Sequence, residues 1–410
     1  MSKLYVSNEI NHSTSIEIIQ EQIQQLVDQI IRPNADKLDR HHEFPKENLA
    51  ALAAAGFNNI LLPKSLGGPG VRDVYTAFST IVEEIGRGCP STALVYTMHV
   101  EATRIIFNHG NEDQWNRWLK PGRTGRIGTT STSESATGGH YWYNFSEAER
   151  SGDGYLLNAE KSFTTSSGHA DFYVVQTKSP NAQKPEDLSY FIINGHQEGI
   201  EPGEWDALGV KGNHSSPLKF NNVFVHEKDR IGEEGEGKYI VQNGTGYLIG
   251  LGSAWAGTAK GILDEVVAYA TRKFHQDVNK SLTDYQVIRA QLAQAKIAVD
   301  SLQAWRRELA SQLDQKQFEN HQIVSEELSN QLLEFKVHAS EVANLVAQIA
   351  MDVAGGYAYK KGTLERLYRD ARAGIVMGPS NNLAREIIGK RLVGIPLNQW
   401  SKGTGTSTTL

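Results

Sequence analysis

Arg369-Asp370-Ala371-Arg372-Ala373-Gly374-Ile375-Val376-Met377-Gly378-Pro379-Ser380 stands near the end of the last helical region of this chain, and its final four residues form a turn. Upstream of that turn the apolar residues keep helical spacing. Ile288, Leu292, Ala295, Val299, Leu302, Leu309 and Leu313 mark one stripe, and Leu328, Leu332, Phe335, Val342, Leu345, Ile349 and Val353 mark a second. Steps of three and four put each set on one helix face. The polar stretch 315–322 between them reads as a loop, so two long antiparallel helices follow, as in a helix bundle. The pattern predicts a helical domain over 241–402 and a mobile tail, 403–410, with nothing to bury.

Residues 126–240 have a different texture. Short alternating runs at 154–158, 172–176, 190–193 and 222–225 are separated by Gly, Asn, Asp and Pro, the pattern of strands in a compact antiparallel domain. Residues 1–125 read as helices. Ile16, Ile19, Ile23, Leu26 and Ile30 line one face behind a Thr14-Ser15-Ile16-Glu17 capping box, and Pro33 is expected to stop that helix. Further helices suit 45–55, 74–86 and 91–107. A chain of 410 residues exceeds one ordinary core, which fits such a division into domains.

Charged residues at 21% and hydrophobic ones at 39% are globular usage. A net charge of -6 gives no electrostatic reason to bind nucleic acid, so small molecules or proteins are the expected partners. Cys89 is the only cysteine; it cannot form an internal disulfide or a metal-thiolate cluster, and no metal is expected. A reducing, cytoplasmic setting fits, and the first residues carry no secretory pattern. The apolar stretch 247–267 is broken by Gly250, Gly252, Gly257, Lys260, Gly261, Asp264 and Glu265, unlike the run of about 20 apolar residues a membrane span needs.

Helices, then strands, then a helix bundle is also the order of the acyl-CoA dehydrogenase family, which the chain resembles in ordered blocks over about 45–395. Leu62-Pro63-Lys64-Ser65-Leu66-Gly67-Gly68 and Gly110-Asn111-Glu112-Asp113-Gln114 are similar to two turns of its helical domain. Ser133-Glu134-Ser135-Ala136-Thr137-Gly138-Gly139 resembles the segment lying against the flavin ring and phosphates, which implicates Thr132 and Ser133. Lys161-Ser162-Phe163-Thr164-Thr165-Ser166 resembles the stretch whose aromatic covers the isoalloxazine and whose Thr hydroxyl bonds near N5, here Phe163 and Thr165. Leu208-Gly209-Val210-Lys211-Gly212-Asn213 and Gly232-Glu233-Glu234-Gly235-Glu236-Gly237 continue the match.

In the last domain the resemblance places Arg272, Gln286, Gly355 and Gly356 against the FAD of a neighbouring subunit, and Ser380 at the Thr that closes the final turn. It implies an α+β fold: an N-terminal helical domain, a middle antiparallel β-barrel-like domain and a C-terminal four-helix bundle, in a homodimer or homotetramer binding FAD. Read without it, Phe163 and Thr165 are sheet residues, Arg272 pairs with a helix C-terminus, Gln286 is a surface residue and Gly355-Gly356 is a helix cap.

The stretch quoted first is similar to the family's C-terminal signature, in which a Tyr-Glu-Gly-Thr turn carries the proton-abstracting glutamate. Here that position is Gly378, and the alternative glutamate position of some members falls at Gly246 or Tyr247. Three readings follow. One is an acyl-thioester dehydrogenase with a relocated base, for which Glu101, His99, Asp264 and Glu265 are candidates; the thioester is of CoA or an acyl carrier protein, and an electron-transfer flavoprotein is a partner. The second is a reduced-flavin monooxygenase served by a flavin reductase, with His99 near the reacting oxygen. The third is a non-catalytic FAD-binding relative.

Overall fold

A computed structural model describes residues 10–120, 125–317, 324–397 and 399, so the tail expected to be mobile lies outside the described residues. Helix α1, Ile16–Leu26, starts at Ser15, whose side chain accepts the Ile18 N–H. Ser15 alone makes this cap. Pro33 does not stop the helix: a π-helical turn, Val27–Ile31, leads straight into α2, Arg32–His41. In that wide turn the Arg32 N–H reaches the Val27 carbonyl five residues back, so the bonding register steps before the residue that lacks an N–H. Helices α3, Lys46–Ala54, α4, Val74–Gly88, and α5, Pro90–His109, follow as the sequence predicts, and the turn at 110–114 adds a short helix, α6, Glu112–Gln114. The Gln114 amide then donates to the carbonyls of Lys228 and Arg230 at 2.9 and 2.7 Å, tying this region to the strands.

The strands are β1, Gly128–Ser131, β2, Ala148–Ser151, β3, Gly154–Thr164, β4, Phe172–Lys178, β5, Leu188–Asn194, β6, Ile200–Pro202, β7, Ser216–His226, and β8, Arg230–Ile231. They form two four-stranded sheets in the orders β1-β4-β5-β8 and β2-β3-β7-β6, not a closed barrel. β1 runs parallel to β4; the other pairs in these sheets are antiparallel. Tyr155, Leu157, Tyr173, Val175, Phe191, Ile193, Phe220 and Val225 fill the space between them. The outer face of the first sheet is covered as well, since Phe172, Val174, Tyr190 and Ile192 pack on Ala102, Ile105 and Ile106 of α5. Burial on both faces explains why Phe172–Val175 of β4 and Tyr190–Ile193 of β5 are unbroken apolar runs instead of alternating, and a helix does the covering that barrel closure would otherwise do.

Beyond the sheets come α7, Gly237–Gln242, α8, Thr245–Arg272, a small hairpin of β9, Phe274–His275, with β10, Lys280–Ser281, and then α9, Gln286–Gln317, α10, Glu326–Ala354, α11, Gly356–Tyr359, α12, Thr363–Val376, and α13, Asn381–Leu392. The expected loop at 315–322 starts later, because α9 runs to Gln317; residues 318–323 lie outside the described residues. Both predicted stripes face inward apart from Leu345, which is exposed, and Leu292, which is half-buried. To the expected four helices, α8, α9, α10 and α12, the structure adds α13, packed through Ala384 and Ile387 on Leu333 and Val337.

The N-terminal and C-terminal helices are not separate bodies. Ile19, Ile23, Phe78, Ile81 and Val82 share one core with Trp255, Leu302 and Phe335. α4 and α8 approach so closely that a Cβ on Gly257 would lie 1.9 Å from the Glu83 carbonyl oxygen, and one on Gly261 2.4 Å from that of Arg87. Two of the glycines that break the apolar run of α8 thus permit backbone-to-backbone packing. No helix among the described residues is long and apolar enough to cross a membrane.

Candidate active site

Where the sheets meet both helical regions there is a cavity of about 1560 Å³. Its sheet side is shaped by a break in the β3–β7 register between Lys161 and Thr164. Such an irregularity re-aims side chains, and Phe163 within it stands 65% exposed on the cavity wall. A buried polar knot holds the neighbouring strand. Lys161, fully buried, donates to Glu134 Oε1 at 2.9 Å, to the Gln176 carbonyl at 2.5 Å and to the Thr132 carbonyl at 3.3 Å. Glu134 also accepts the backbone N–H groups of Phe145, at 2.6 Å, and Ser146, at 3.2 Å. Burial by itself would raise the Glu134 carboxyl, but Lys161 and these donors outweigh it and hold it below the usual glutamate value.

The Arg-Asp-Ala stretch contributes from behind. Asp370 Oδ1 accepts the Val210 N–H at 2.6 Å, fixing that residue at φ 47°, a left-handed conformation that a β-branched side chain rarely adopts. Val210 lines the cavity, so the signature aspartate positions a loop of the sheet domain. On the helical side, Met98, Glu101 and Ile105 of α5 face inward with Tyr247 and Leu248 of α8 and the 377–380 turn. Glu101 and Arg104 form a bidentate pair at 2.8 Å, and Arg104 also donates to the Asn243 carbonyl at 2.5 Å. A side chain at Gly246 would begin only 2.6 Å from Glu101 Oε2. The Tyr247 hydroxyl donates to the Gly378 carbonyl at 2.5 Å, and burial pushes its phenol far above the usual range.

Six of the residues singled out in the sequence therefore share one hollow: Thr132, Ser133, Phe163, Thr165, Gly378 and Ser380 all line it. Thr165 Oγ1 lies 3.3 Å from Ser215 Oγ, and Ser380 caps α13. Gly378 has nothing within 4 Å of where its Cβ would be. Arg272, Gln286, Gly355 and Gly356 lie away from the cavity at exposed positions. The Tyr269–Tyr357 ring stack, 4.4 Å between centroids, brings the end of α8 beside Gly355-Gly356.

His99 does not reach the cavity. Its Nδ1 accepts the Gly128 N–H at 3.0 Å and its Nε2 lies 3.0 Å from the Asn58 carbonyl, so it bridges backbone in the neutral form, and burial lowers its pKa to about 4. Asp264 and Glu265 also lie elsewhere, paired with Lys260 at 3.2 Å and Arg32 at 3.4 Å. Of the four proton-acceptor candidates only Glu101 lines the cavity. Sequence reasoning passed over Trp205, a cavity residue whose buried Nε1 has no acceptor among the described residues, and the Glu134–Lys161 knot, which gave no signal because its members are distant in the chain. An exposed aromatic face, a buried indole donor without a partner and open space beside Gly138 and Gly139 suit a planar group with polar edges and phosphates.

Comparison with known proteins agrees along the chain. Residues 13–126, 129–223 and 247–393 match the N-terminal, middle and C-terminal domains of acyl-CoA dehydrogenase. A 3-(aryl)acrylate reductase of Clostridium sporogenes is 28% identical over 92% of this chain and 98% of its own length. The caffeyl-CoA reductase-Etf complex subunit CarC of Acetobacterium woodii is 28% identical over 87% and 92%. A solved glutaryl-coenzyme A dehydrogenase, in complex with glutaryl-CoA, superposes with a TM-score of 0.86 at 23% identity, covering 96% of this chain and 98% of its own. With its three domains matched in order and its 377–380 turn facing the same cavity as the sheet residues, the chain belongs to the acyl-CoA dehydrogenase family, a family of flavin-dependent oxidoreductases.

Proposed function

We propose that the protein is an FAD-dependent oxidoreductase that acts on an acyl thioester, of CoA or a carrier protein, in the cavity between the sheets and the bundle. The observation that carries this reading is the gathering of Thr132, Ser133, Phe163 and Thr165 opposite the 377–380 turn, with space between them. Bound there, FAD supplies a two-electron acceptor or donor. Phe163 offers a ring face for packing, Thr165 and Trp205 offer hydrogen-bond donors, and the apolar side chains of Met98, Ile105 and Leu248 keep water from an acyl chain. The surface at Arg272, Gln286 and Gly355-Gly356 serves the FAD of a second subunit.

Breaking the Cα–H bond of a thioester sends a proton to a base within hydrogen-bond reach. In this reading the acceptor is Glu101. Its carboxylate reaches the start of the side-chain position vacated at Gly246, and Arg104 fixes its orientation. An electron-transfer flavoprotein is the proposed redox partner, as the name of the Acetobacterium relative suggests.

The test is anaerobic spectroscopy of the FAD-loaded protein with a panel of acyl thioesters. Bleaching of the flavin by one of them, lost by a factor of about 100 or more in Glu101→Gln with the fold retained, is the expected result. A second reading, oxygenation with reduced flavin, is favoured by one observation: neither Gly378 nor Gly246 carries an acid. No bleaching by any thioester, together with oxygen-dependent product from supplied reduced flavin, would replace the first reading by the second.

A further inference from the structure

Lys336 is fully buried on α10, yet among the described residues no carboxylate touches it. Its ammonium donates to the carbonyl oxygens of Gly374 at 3.0 Å, Met377 at 3.1 Å and Pro379 at 2.8 Å, and to Asn381 Oδ1 at 3.0 Å. These acceptors are the end of α12, the turn and the first residue of α13. The carbonyl between them, that of Gly378, is taken by the Tyr247 hydroxyl from α8. The carbonyls of residues 377–379 are therefore all held by side chains of two other helices, Met377 and Pro379 by Lys336 of α10 and Gly378 by Tyr247 of α8, so the turn that faces the cavity has no carbonyl free to swing.

We propose that Lys336 and Tyr247 are positioning residues that hold the 377–380 turn in the shape against which the acyl thioester binds. The inference rests on the thioester reading above. A purely structural cation could be satisfied by one helix C-terminus; this one spans the whole segment, at a cost in desolvation that no ion pair offsets. Three N–H groups serve four acceptors only while the amine is charged. A neutral amine keeps two N–H groups and points a lone pair at one of those oxygens. Burial lowers the Lys336 pKa to about 7, slightly countered by Glu341. The other charged or titratable groups nearby are Arg385, paired with Glu341, and the Tyr247 phenol. The clamp is thus complete below neutrality and loses a contact as pH rises.

Two measurements on the FAD-loaded protein test this. Backbone hydrogen exchange over 374–383, without ligand and corrected for intrinsic rates, reads the turn itself; calorimetric binding of butyryl-CoA reads its consequence. Tyr247→Phe, which removes one hydroxyl and leaves the packing, and Lys336→Met are each expected to speed exchange and weaken butyryl-CoA about fivefold or more. Protection in the parent protein should fall between pH 6 and 9, and Lys336→Arg should abolish that dependence. Exchange unchanged in Tyr247→Phe, or a loosened turn with unchanged affinity, overturns the proposal while leaving the thioester reading standing. A parent protein that binds no acyl-CoA removes that reading, and this inference with it.

Discussion

Replacing Lys161 by Met removes the cation from the buried knot beside the cavity. The side chain is similar in length, so packing changes little, but Glu134 keeps its charge with only the Phe145 and Ser146 N–H groups to face it, at 2.6 and 3.2 Å. Leaving one member of a buried pair uncompensated costs about 3–5 kcal/mol. Glu134→Gln strands the fully buried ammonium and should cost a similar amount. In the double variant neither charge remains and the Gln oxygen still accepts the two N–H groups, so the loss should fall short of the sum of the singles by about 3 kcal/mol. Calorimetric unfolding of the four proteins gives the coupling directly. The pH dependence gives a second, sign-specific check. In the parent, Glu134 sits below its ordinary value, so its stabilisation is present near neutrality and is lost as pH falls through the folded value. In Lys161→Met burial raises that carboxyl instead, so the variant's deficit should shrink between pH 7 and about 5. Additive single effects, or a deficit that grows on acidification, would refute the reasoning.

Further outcomes are expected at three positions. His99, with a folded pKa of about 4 against an ordinary 6.5, should show no imidazole titration by NMR above about pH 5. Because the unfolded chain takes up that proton first, His99 should cost stability as pH falls from 6.5 towards 4, reaching about 3 kcal/mol. Gly257→Ala drives a methyl to 1.9 Å from the Glu83 carbonyl and should destabilise by about 3 kcal/mol or more, with a loss under about 1 kcal/mol in denaturant unfolding counting against the helix contact. Gly378→Glu has room and should leave stability within about 0.5 kcal/mol. With proton transfer assigned to Glu101, the same change should raise thioester bleaching less than about threefold, and a rise above tenfold would remove that assignment.

Much of this fold is legible in the sequence because periodicity reports burial. The stripes of α9 and α10 and the alternating runs of β3 and β7 each describe one buried face, and the structure buries them. Pro33 misleads because a local rule about the missing N–H says nothing of the wider turn before it. The closed barrel fails for a different reason: whether a sheet's outer face meets solvent, itself or a helix depends on α5, many residues away. At the site, ordered motifs locate Thr132, Ser133, Phe163, Thr165, Gly378 and Ser380 in one hollow, since each lies in a turn or strand with its own composition. Lys336, Trp205 and the Glu101–Arg104 pair carry no such mark. Their meaning lies in which distant carbonyls and cavities they meet, as His99 shows in reverse: a histidine among apolar residues turns out to bridge two backbone groups.

The shared core of α4 and α8 also constrains how the polypeptide acquires its shape. Residues before 110 leave the ribosome well ahead of Trp255 and Phe335, against which they are finally seated. The sheet region between them has its own filling of aromatic and branched side chains and can mature meanwhile. The leading helices thus wait, with Phe78, Ile81 and Val82 lacking their eventual cover, until the trailing third of the chain has been made. Closure of such sequence-distant contacts is slow and leaves apolar surface open to aggregation.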